Sequence, residues 1–490
     1  PDARWSDGRR VTTYDVVATW FLLMDETILD PAQQVMFGRF EEPVAESMYI
    51  LSVVAKEPYW RNLYIFAYEM TILPAHYVNQ VDGSEFIDKY QFKLMPGSGP
   101  YTIKDENVVN QESYKLTRRE DFWGKDLPQN RNLYNFDAIN FFVIKGNDAL
   151  TFEKFKKGEF DYYEVNRSRV WVEECIADKM QAIDKGWMKK HRIFSDRPAG
   201  TSGYGFNMRK FPFNDINIRY AFGYLYDREK MNREMYYNEY DMMNSLYSGT
   251  VYENPNNPKF HHNPKKAVEL LKEAGYTKRN KEGWLIHEPS GKIFKFEIQI
   301  PKTNEYMVTP VQQMLKEYGM DMQIKFVDYN TMIKNVNERN FTIAMVAYAA
   351  NFFPNPEVEF YSELADKNDN NNITGFKNER VDELIHEYKV CFDQQKRIEL
   401  IKEIDGIFNE VHPKSFSIAR NYIRMMWWDK FGYPNWMLSR YVGEYWDAFY
   451  YWWIDEEVQE QLTDAMEDGR KLDLKPIDMK YWPDYLKNNQ

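Results

Sequence analysis

Residues 294–348 read FKFEIQIPKTNEYMVTPVQQMLKEYGMDMQIKFVDYNTMIKNVNERNFTIAMVAY, and their pattern of apolar residues indicates the fold class. Apolar and polar residues alternate over 294–300 and again from Met322 to Phe326, as expected for half-buried strands, and 341–348 is a continuous apolar run. Helical segments separate these strands, one passing through Leu315 to Gly319 and one near residues 332–336. The order strand, helix, strand, helix, strand predicts a parallel or mixed sheet covered by helices, and therefore an α/β fold.

Two helices near this stretch have starts that can be predicted from side-chain chemistry. Asn263 is a candidate N-cap, and Pro264 follows at the first helical position, where its missing N–H costs nothing. Residues 203–227 read GYGFNMRKFPFNDINIRYAFGYLYD and predict a short aromatic strand, a turn and a helix capped by Asp215. The residues at helical spacing that we expect in the core are Ile218, Ala221, Phe222 and Leu225.

The predicted sheet also indicates where a ligand binds. In open α/β sheets, ligands lie outside the carboxyl ends of the strands. The third strand ends at Tyr348 and continues into residues 349–354, AANFFP. We interpret this segment as a candidate cavity wall, and a packed aromatic loop is the alternative.

Composition excludes several classes of protein. A chain of 490 residues is long enough for two or three domain-sized cores. Its formal net charge of -12 argues against a nucleic-acid partner, because few cations are available to displace counterions. No apolar run approaches the ~18 residues of a membrane-spanning helix. We therefore expect a soluble globular protein.

Aromatic residues make up 17% of the chain, which is a large share. One interpretation is a large aromatic core. The other is that some rings line a cavity, where flat faces give a large contact area at low rotamer cost. The composition is compatible with both.

Patterns of catalytic and metal sites are missing from the sequence. Cys175 and Cys391 lie too far apart for a clustered metal site or a disulfide framework, and no GxxxxGK[ST], GxSxG, HExxH or CxxC pattern occurs. The sequence therefore predicts no catalytic residues, no metal and no cofactor. Glu357 and Glu359 remain the nominees for a glycosidase pair, as an alternative of a different functional class.

Short segments in a fixed order resemble one family. They are WSDG at 5–8 with VTTYDVV at 11–17, ILPAHY at 72–77, GSGPY at 97–101 with RREDFW at 118–123, KGEFD at 157–161, and the helix at 263–275. Together they resemble the bacterial extracellular solute-binding proteins of the peptide/nickel ABC-importer family, family 5. Residues 124–137, 427–432 and 451–455 are similar to its oligopeptide and microcin-C binding branch.

The resemblance implies an α/β, two-lobed type II periplasmic-binding-protein fold with an extra subdomain in lobe I. Its expected divisions are 1–95 for that subdomain, 96–204 for the core of lobe I, 205–424 for lobe II, and 425–490 for the return to lobe I and the C-terminal tail. Family members begin with a further strand region before the SDG motif, and that N-terminal part is expected to be missing here. The chain opens at Pro1 without a signal peptide, so we expect a processed or truncated start.

The resemblance further implies that a ligand lies between the lobes, which close by a hinge. The expected ligand contacts are Tyr204, Phe206, Asn207, Tyr348, Asn351, Phe352, Phe353, Arg420, Trp427 and Trp428. For Trp427 and Trp428, core packing is the alternative. Residues 203–227 are expected to carry the chain from the first lobe to the second.

One departure from the family pattern affects the identity of the ligand. Peptide-binding relatives often hold the α-amine of the ligand with an aspartate in the loop that matches residues 348–356. This loop offers no aspartate, and a buried amine without a carboxylate is strongly disfavoured unless Glu357 or Glu359 turns inward. Aromatic-rich loops of this kind also suit sugars.

The resulting hypothesis is a substrate-binding receptor of an ABC importer that is not an enzyme. It captures an oligopeptide or peptide-like ligand and delivers it to a permease in the inner membrane. We expect a monomer in the periplasm or outside the cell, associated with the membrane through the permease or a lost lipid anchor. The alternatives are an oligosaccharide receptor of the same fold, a secreted carbohydrate-active enzyme, and a surface or assembly protein.

Overall fold

The computed structural model describes residues 1–28, 30–349 and 352–489, and the chain divides into two compact units. Unit 1 consists of Pro1–Arg197 and Tyr422–Gln490, and unit 2 consists of Pro198–Asn421. The crossings between units thus lie a few residues before the predicted boundaries at 204/205 and 424/425. The assignment of the units to lobes, and the extra subdomain at 1–95, stay predictions.

Helices and strands are numbered in chain order. The helices are α1 Thr13–Met24, α2 Pro31–Phe37, α3 Asn62–Tyr64, α4 Ala75–Val78, α5 Gly83–Tyr90, α6 Asp148–Lys156, α7 Gln181–Asp184, α8 Ile216–Leu225, α9 Arg228–Met235, α10 Pro264–Glu273, α11 Glu305–Glu317, α12 Tyr329–Asn337, α13 Pro356–Phe360, α14 Glu379–Val390, α15 Gln394–Val411, α16 Asp447–Tyr451, α17 Glu456–Asp468 and α18 Tyr481–Asn489. The strands are β1 Val44–Ser47, β2 Ile50–Ser52, β3 Tyr101–Thr102, β4 Val108–Val109, β5 Ser113–Arg118, β6 Ala138–Phe142, β7 Tyr162–Glu164, β8 Met188–Phe194, β9 Thr201–Phe206, β10 Asp241–Met242, β11 Lys278–Arg279, β12 Leu285–Ile286, β13 Lys295–Ile300, β14 Asp321–Phe326, β15 Ile343–Tyr348, β16 Lys414–Phe416, β17 Ile418–Ala419, β18 Tyr422–Trp428, β19 Phe431–Gly432, β20 Trp453–Ile454 and β21 Asp478–Met479.

The main sheet of unit 2 has the strand order β14-β13-β15-β9-β16. Strand β13 runs parallel to β14 and β15, whereas β9 is antiparallel to β15 and β16. Helices α11 and α12 connect the three parallel strands. The predicted succession of strands and helices is therefore confirmed, and the sheet is mixed.

Helices α8 and α10 cover this sheet and begin at the predicted caps. The Asp215 carboxylate accepts a hydrogen bond from the Asn217 amide at 2.8 Å, and the Asn263 side chain accepts one from the Lys266 amide at 3.1 Å. The residues expected in the core from α8 are all buried, and they join one hydrophobic cluster with β13 and α10. Both predicted N-caps are confirmed.

Unit 1 contains a sheet of order β21-β8-β18-β7 and a second sheet in which β5 pairs with β3, β4 and β6. Trp427 of β18 lies at the centre of its core, with its ring centre 4.8 Å from that of Trp452. Trp20, Phe37 and Phe40 form a separate cluster near the start of the chain. The aromatic residues of these two clusters are thus used for packing.

Two buried histidines make the stability depend on pH. His412 ends α15 in the left-handed conformation (φ 52°), and neither ring nitrogen has a hydrogen-bond partner among the described residues. Burial lowers the pKa of His412 to about 3 and that of His191, in β8, to about 4. Below pH 6.5 the unfolded chain therefore binds protons that the folded chain rejects, and stability falls as the pH falls.

We expect each histidine to remove about 2 kcal/mol from the free energy of unfolding between pH 7.5 and 5. His412→Asn should lose roughly half of this combined dependence, because asparagine tolerates the left-handed conformation and does not titrate. Urea unfolding at pH 7.5 and 5 measures the effect, with the exposed His386→Asn as the control. An unchanged pH dependence in His412→Asn would contradict the expectation.

Candidate functional site

A cavity of about 160 Å³ lies in unit 2 at the carboxyl end of β15. Tyr348, the last residue of β15, pairs with Thr201 at the start of β9, and both residues line the cavity. The described lining residues are Pro198, Ala199, Gly200, Thr201, Leu246, Tyr247, Ser248, Thr250, Tyr348, Ala349, Pro354, Asn355, Val358, Glu359 and Asn371. The cavity thus lies at the strand end where the sequence places a ligand.

A buried carboxylate holds one wall of this cavity in place. Asp405 of α15 is fully buried and accepts hydrogen bonds from the Ser245 hydroxyl at 2.7 Å and the Leu246 amide at 3.3 Å. It also accepts from the Asn254 amide at 3.1 Å and the Asn257 side chain at 2.6 Å. These bonds fix residues 245–257, the loop that supplies four lining residues. Burial raises the pKa of Asp405, and these donors oppose the shift.

Glu359 of α13 is the charged residue among the described lining residues, and its charge has a buried counterion. The ammonium of Lys414, in β16, lies 3.7 Å from Glu359 Oε2 and 4.5 Å from the centre of the Tyr348 ring. Only 4% of Lys414 is exposed. Burial lowers the pKa of Lys414, whereas the Glu359 carboxylate favours its charged form. Burial raises the pKa of Tyr348 well above its usual range, and Glu359 adds to this shift.

Glu357 is engaged elsewhere. Its carboxylate forms an ion pair with Lys389 of α14, and both side chains are largely buried. Of the two glutamates that the sequence nominates, Glu359 thus lines the cavity and Glu357 does not. Each carboxylate already has a lysine partner, and only one of them lines the cavity. The two glutamates therefore do not form the pair of facing acids that a glycosidase uses.

Asn355 adds an acceptor that its own helix does not use. It precedes α13 at the N-cap position, but its side chain makes no capping hydrogen bond. Its Oδ1 atom is buried and has no hydrogen-bond partner among the described residues. Because Asn355 also lines the cavity, this oxygen is a candidate acceptor for a ligand N–H or O–H.

The predicted contacts at Tyr204, Phe206 and Asn207 are wrong. Tyr204 and Phe206 project from β9 into the core under α8, where 3% and 0% of these residues are exposed. The Asn207 side chain is also buried and donates to the backbone carbonyls of Arg339 and Phe341. Alternate residues of a strand share a face, so both rings of the Tyr-Gly-Phe segment pack against the helix.

Trp427 is also a core residue and not a ligand contact, since none of its surface is exposed. The Trp428 indole nitrogen donates to the Phe155 carbonyl at 3.1 Å, and its ring packs in the same unit. The Arg420 guanidinium lies 5.9 Å from the centre of the Tyr240 ring. Ligand contacts by Trp428 and Arg420 stay predictions.

The remaining predicted contacts lie on or beside the expected wall. Tyr348 lines the cavity, whereas Asn351 lies outside the described residues. About 40% of Phe352 and Phe353 is exposed, and their role in binding stays a prediction. Sequence reasoning missed Tyr247, Asn355 and the buried Lys414, and no local motif marks the loop or the lysine.

A second cavity, of about 1040 Å³, lies entirely in unit 1. Every residue of β6 and of β7 is among its lining residues, so the backbone of these strands lines the cavity together with their side chains. Aromatic rings from the segment around α16 complete its walls, among them Tyr445, Phe449 and Trp452. None of the predicted ligand contacts is among its lining residues.

The described residues contain no group of three or more His, Cys, Asp or Glu side chains arranged to hold a metal ion. In the same part of the chain, no helix combines the length and the apolar character that crossing a membrane requires.

Comparison with known proteins gives consistent matches. The family described as "Bacterial extracellular solute-binding proteins, family 5 Middle" matches residues 1–372. The probable peptide-binding protein YejA of Agrobacterium fabrum is 25% identical over 447 residues, which cover 83% of this chain and 71% of that protein. The peptidoglycan-binding protein YepA of the same organism is 26% identical over 428 residues, 79% of this chain and 68% of that protein.

The same fold occurs in the oligopeptide-binding protein AppA of Bacillus subtilis, solved in complex with a nonapeptide. The two structures superimpose with a TM-score of 0.76 at 20% sequence identity, over 92% of this chain and 85% of AppA. This likeness shows the fold.

Proposed function

Because the chain belongs to the family 5 bacterial extracellular solute-binding proteins, we propose that it captures a peptide or peptide-like compound with one end in the cavity at the end of β15. Its fold is that of the type II periplasmic binding proteins, and the protein is a solute-binding receptor, not an enzyme. The family match over residues 1–372 carries the proposal. Peptide binding by AppA and the name of YejA favour a peptide ligand.

The receptor delivers its ligand to an ABC permease. Ligand binding favours the conformation for which the ligand has the higher affinity, and the permease recognises that conformation. We propose that the receptor acts as a monomer in the periplasm, next to the membrane that holds the permease. Compounds of the microcin-C type are one candidate class of peptide-like ligand in this proposal.

An oligosaccharide is the second candidate ligand. The cavity lining contains the hydroxyl groups of Thr201, Ser248 and Thr250 and the ring of Tyr247, which suit hydroxyl-rich ligands. The name of the relative YepA, a peptidoglycan-binding protein, is compatible with both candidate ligands, because peptidoglycan contains both sugar and peptide.

Native mass spectrometry of the purified protein tests the proposal, because a tightly bound ligand stays attached and is identified by its mass. Peptide masses support the proposal, and masses of pure oligosaccharides support the second candidate. If the protein carries no ligand and binds neither a tetrapeptide library nor a chito-oligosaccharide ladder in solution, the proposal is wrong.

We expect Tyr348→Ala to weaken ligand binding at least tenfold, about 1.4 kcal/mol, because it removes the ring that lines the cavity beside Glu359. Isothermal titration calorimetry with the ligand recovered from the protein measures the change. Tyr329→Ala is the control, since Tyr329 lies on α12 of the same unit, is 62% exposed and does not line the cavity. Equal ligand affinities of the two variants would show that Tyr348 does not contact the ligand.

A further inference from the structure

We propose that the cavity at the end of β15 recognises an uncharged amide or hydroxyl group of the ligand and not a free ammonium group. The ligand is then a peptide-like compound whose end in this cavity is blocked or otherwise neutral. This inference rests on the proposed function and specifies the chemical class of its ligand.

Glu359 and Lys414 balance each other's charge without a ligand. Glu359 supplies one negative charge to the described lining, and Lys414 places one positive charge 3.7 Å from it. Lys414 is 4% exposed, so water screens its charge poorly. A ligand ammonium next to Glu359 would share this carboxylate with the buried ammonium of Lys414. The attraction to a shared carboxylate would not offset the free energy that the ligand ammonium loses with its hydration shell.

The other acids near the cavity are already occupied. Glu357 is paired with Lys389, away from the lining. Asp405 lies behind the loop of residues 245–257, and donors of that loop hold both of its carboxylate oxygens. Glu357 and Glu359 thus each have a lysine counterion, and neutral donors of the loop hold the Asp405 carboxylate, so none of these three acids is available to a ligand ammonium.

Neutral acceptors are available instead. The buried Oδ1 of Asn355 has no partner among the described residues and lines the cavity. The Ser248 hydroxyl donates to the Ser245 carbonyl and accepts from the Asn244 amide at 3.3 Å. The Thr250 hydroxyl likewise donates to the Tyr247 carbonyl and accepts from the Tyr252 amide at 3.2 Å. Each hydroxyl oxygen keeps one lone pair as an acceptor. An amide N–H or a hydroxyl satisfies such acceptors without bringing a charge.

A competition between two peptide pools tests the inference. The probes are a random tetrapeptide library with free N-termini and the same library after N-acetylation, mixed in equal amounts with the protein and read by native mass spectrometry. We expect the wild type to capture acetylated peptides at least tenfold more than free ones. Lys414→Met removes the counterion of Glu359 and should shift this ratio at least tenfold towards free amines.

Controls separate charge from damage to the fold. Lys389→Met removes a lysine from the pair that does not line the cavity and should leave the ratio unchanged. The double variant Glu359→Gln, Lys414→Met replaces one neutral pair by another and should restore the preference of the wild type. If Lys414→Met fails to fold, Glu359→Gln alone should keep acetylated binding within threefold and weaken free amines further.

Each outcome decides the inference. A wild-type preference for free amines, or an unchanged ratio in folded Lys414→Met, overturns it while leaving peptide binding intact. Capture of neither pool overturns the proposed peptide function, and with it the inference.

Discussion

Phe206→Ala is expected to lower the free energy of unfolding of unit 2 by about 3–5 kcal/mol. The Phe206 ring is fully buried and stacks on Phe213 with 4.7 Å between ring centres. Phe222 packs edge-to-face against it with 5.2 Å between ring centres. Alanine leaves a cavity that these rigid rings close only partly. Chemical unfolding followed by tryptophan fluorescence and circular dichroism measures the loss.

Phe392→Ala provides the matched control for this substitution. Phe392 belongs to the same unit and is 70% exposed, so its removal should change stability by less than about 0.5 kcal/mol. Ligand affinity of folded Phe206→Ala, measured well below its unfolding transition, should stay near that of the wild type. Reduced affinity with unchanged stability would instead restore Phe206 as a ligand contact.

Asp405→Ala is expected to cost about 3 kcal/mol or more, because it leaves several buried donors without an acceptor. They include the Ser245 hydroxyl, the Leu246 amide and the Asn257 side chain. The loop of residues 245–257 forms part of the cavity wall, so we also expect ligand affinity to fall at least tenfold. Thermal unfolding and calorimetry on the same preparation measure both effects.

Asp393→Ala is the control from the same helix. Asp393 caps α15 by accepting from the Lys396 amide at 2.7 Å, and its removal should cost only about 1 kcal/mol and leave binding unchanged. Equal losses in the two variants would mean that Asp405 contributes no more than an exposed helix cap. Loss of stability without loss of affinity would separate Asp405 from the cavity.

Neighbouring lysines determine what the two glutamates of α13 do. The sequence places Glu357 and Glu359 two residues apart after Pro356, and either one is a candidate acid for a ligand amine or for catalysis. The fold brings Lys389 from α14 to one glutamate and Lys414 from β16 to the other. Both carboxylates are therefore already paired with a lysine. In our proposal the neutral acceptors of the cavity lining then select the ligand.

Local sequence signals are sufficient to predict the helices and strands of unit 2 and the family. Strict alternation over residues 294–300, the caps at Asp215 and Asn263, and the ordered motifs are local signals, because helix and strand periods and cap chemistry depend on nearby residues. The same local logic placed a cavity wall after Tyr348, since the end of a strand in an α/β sheet follows from the order of elements.

Which side chains reach that cavity depends on the packing of distant segments. Tyr204 and Phe206 alternate correctly, but alternation alone does not say which face of β9 a helix covers, and α8 covers theirs. Lys414 and Asp405 act on residues 55 and 160 positions away in the chain, Glu359 and Ser245. Such pairings arise from packing of distant segments, so no local pattern records them, and they set the charge and shape of the site.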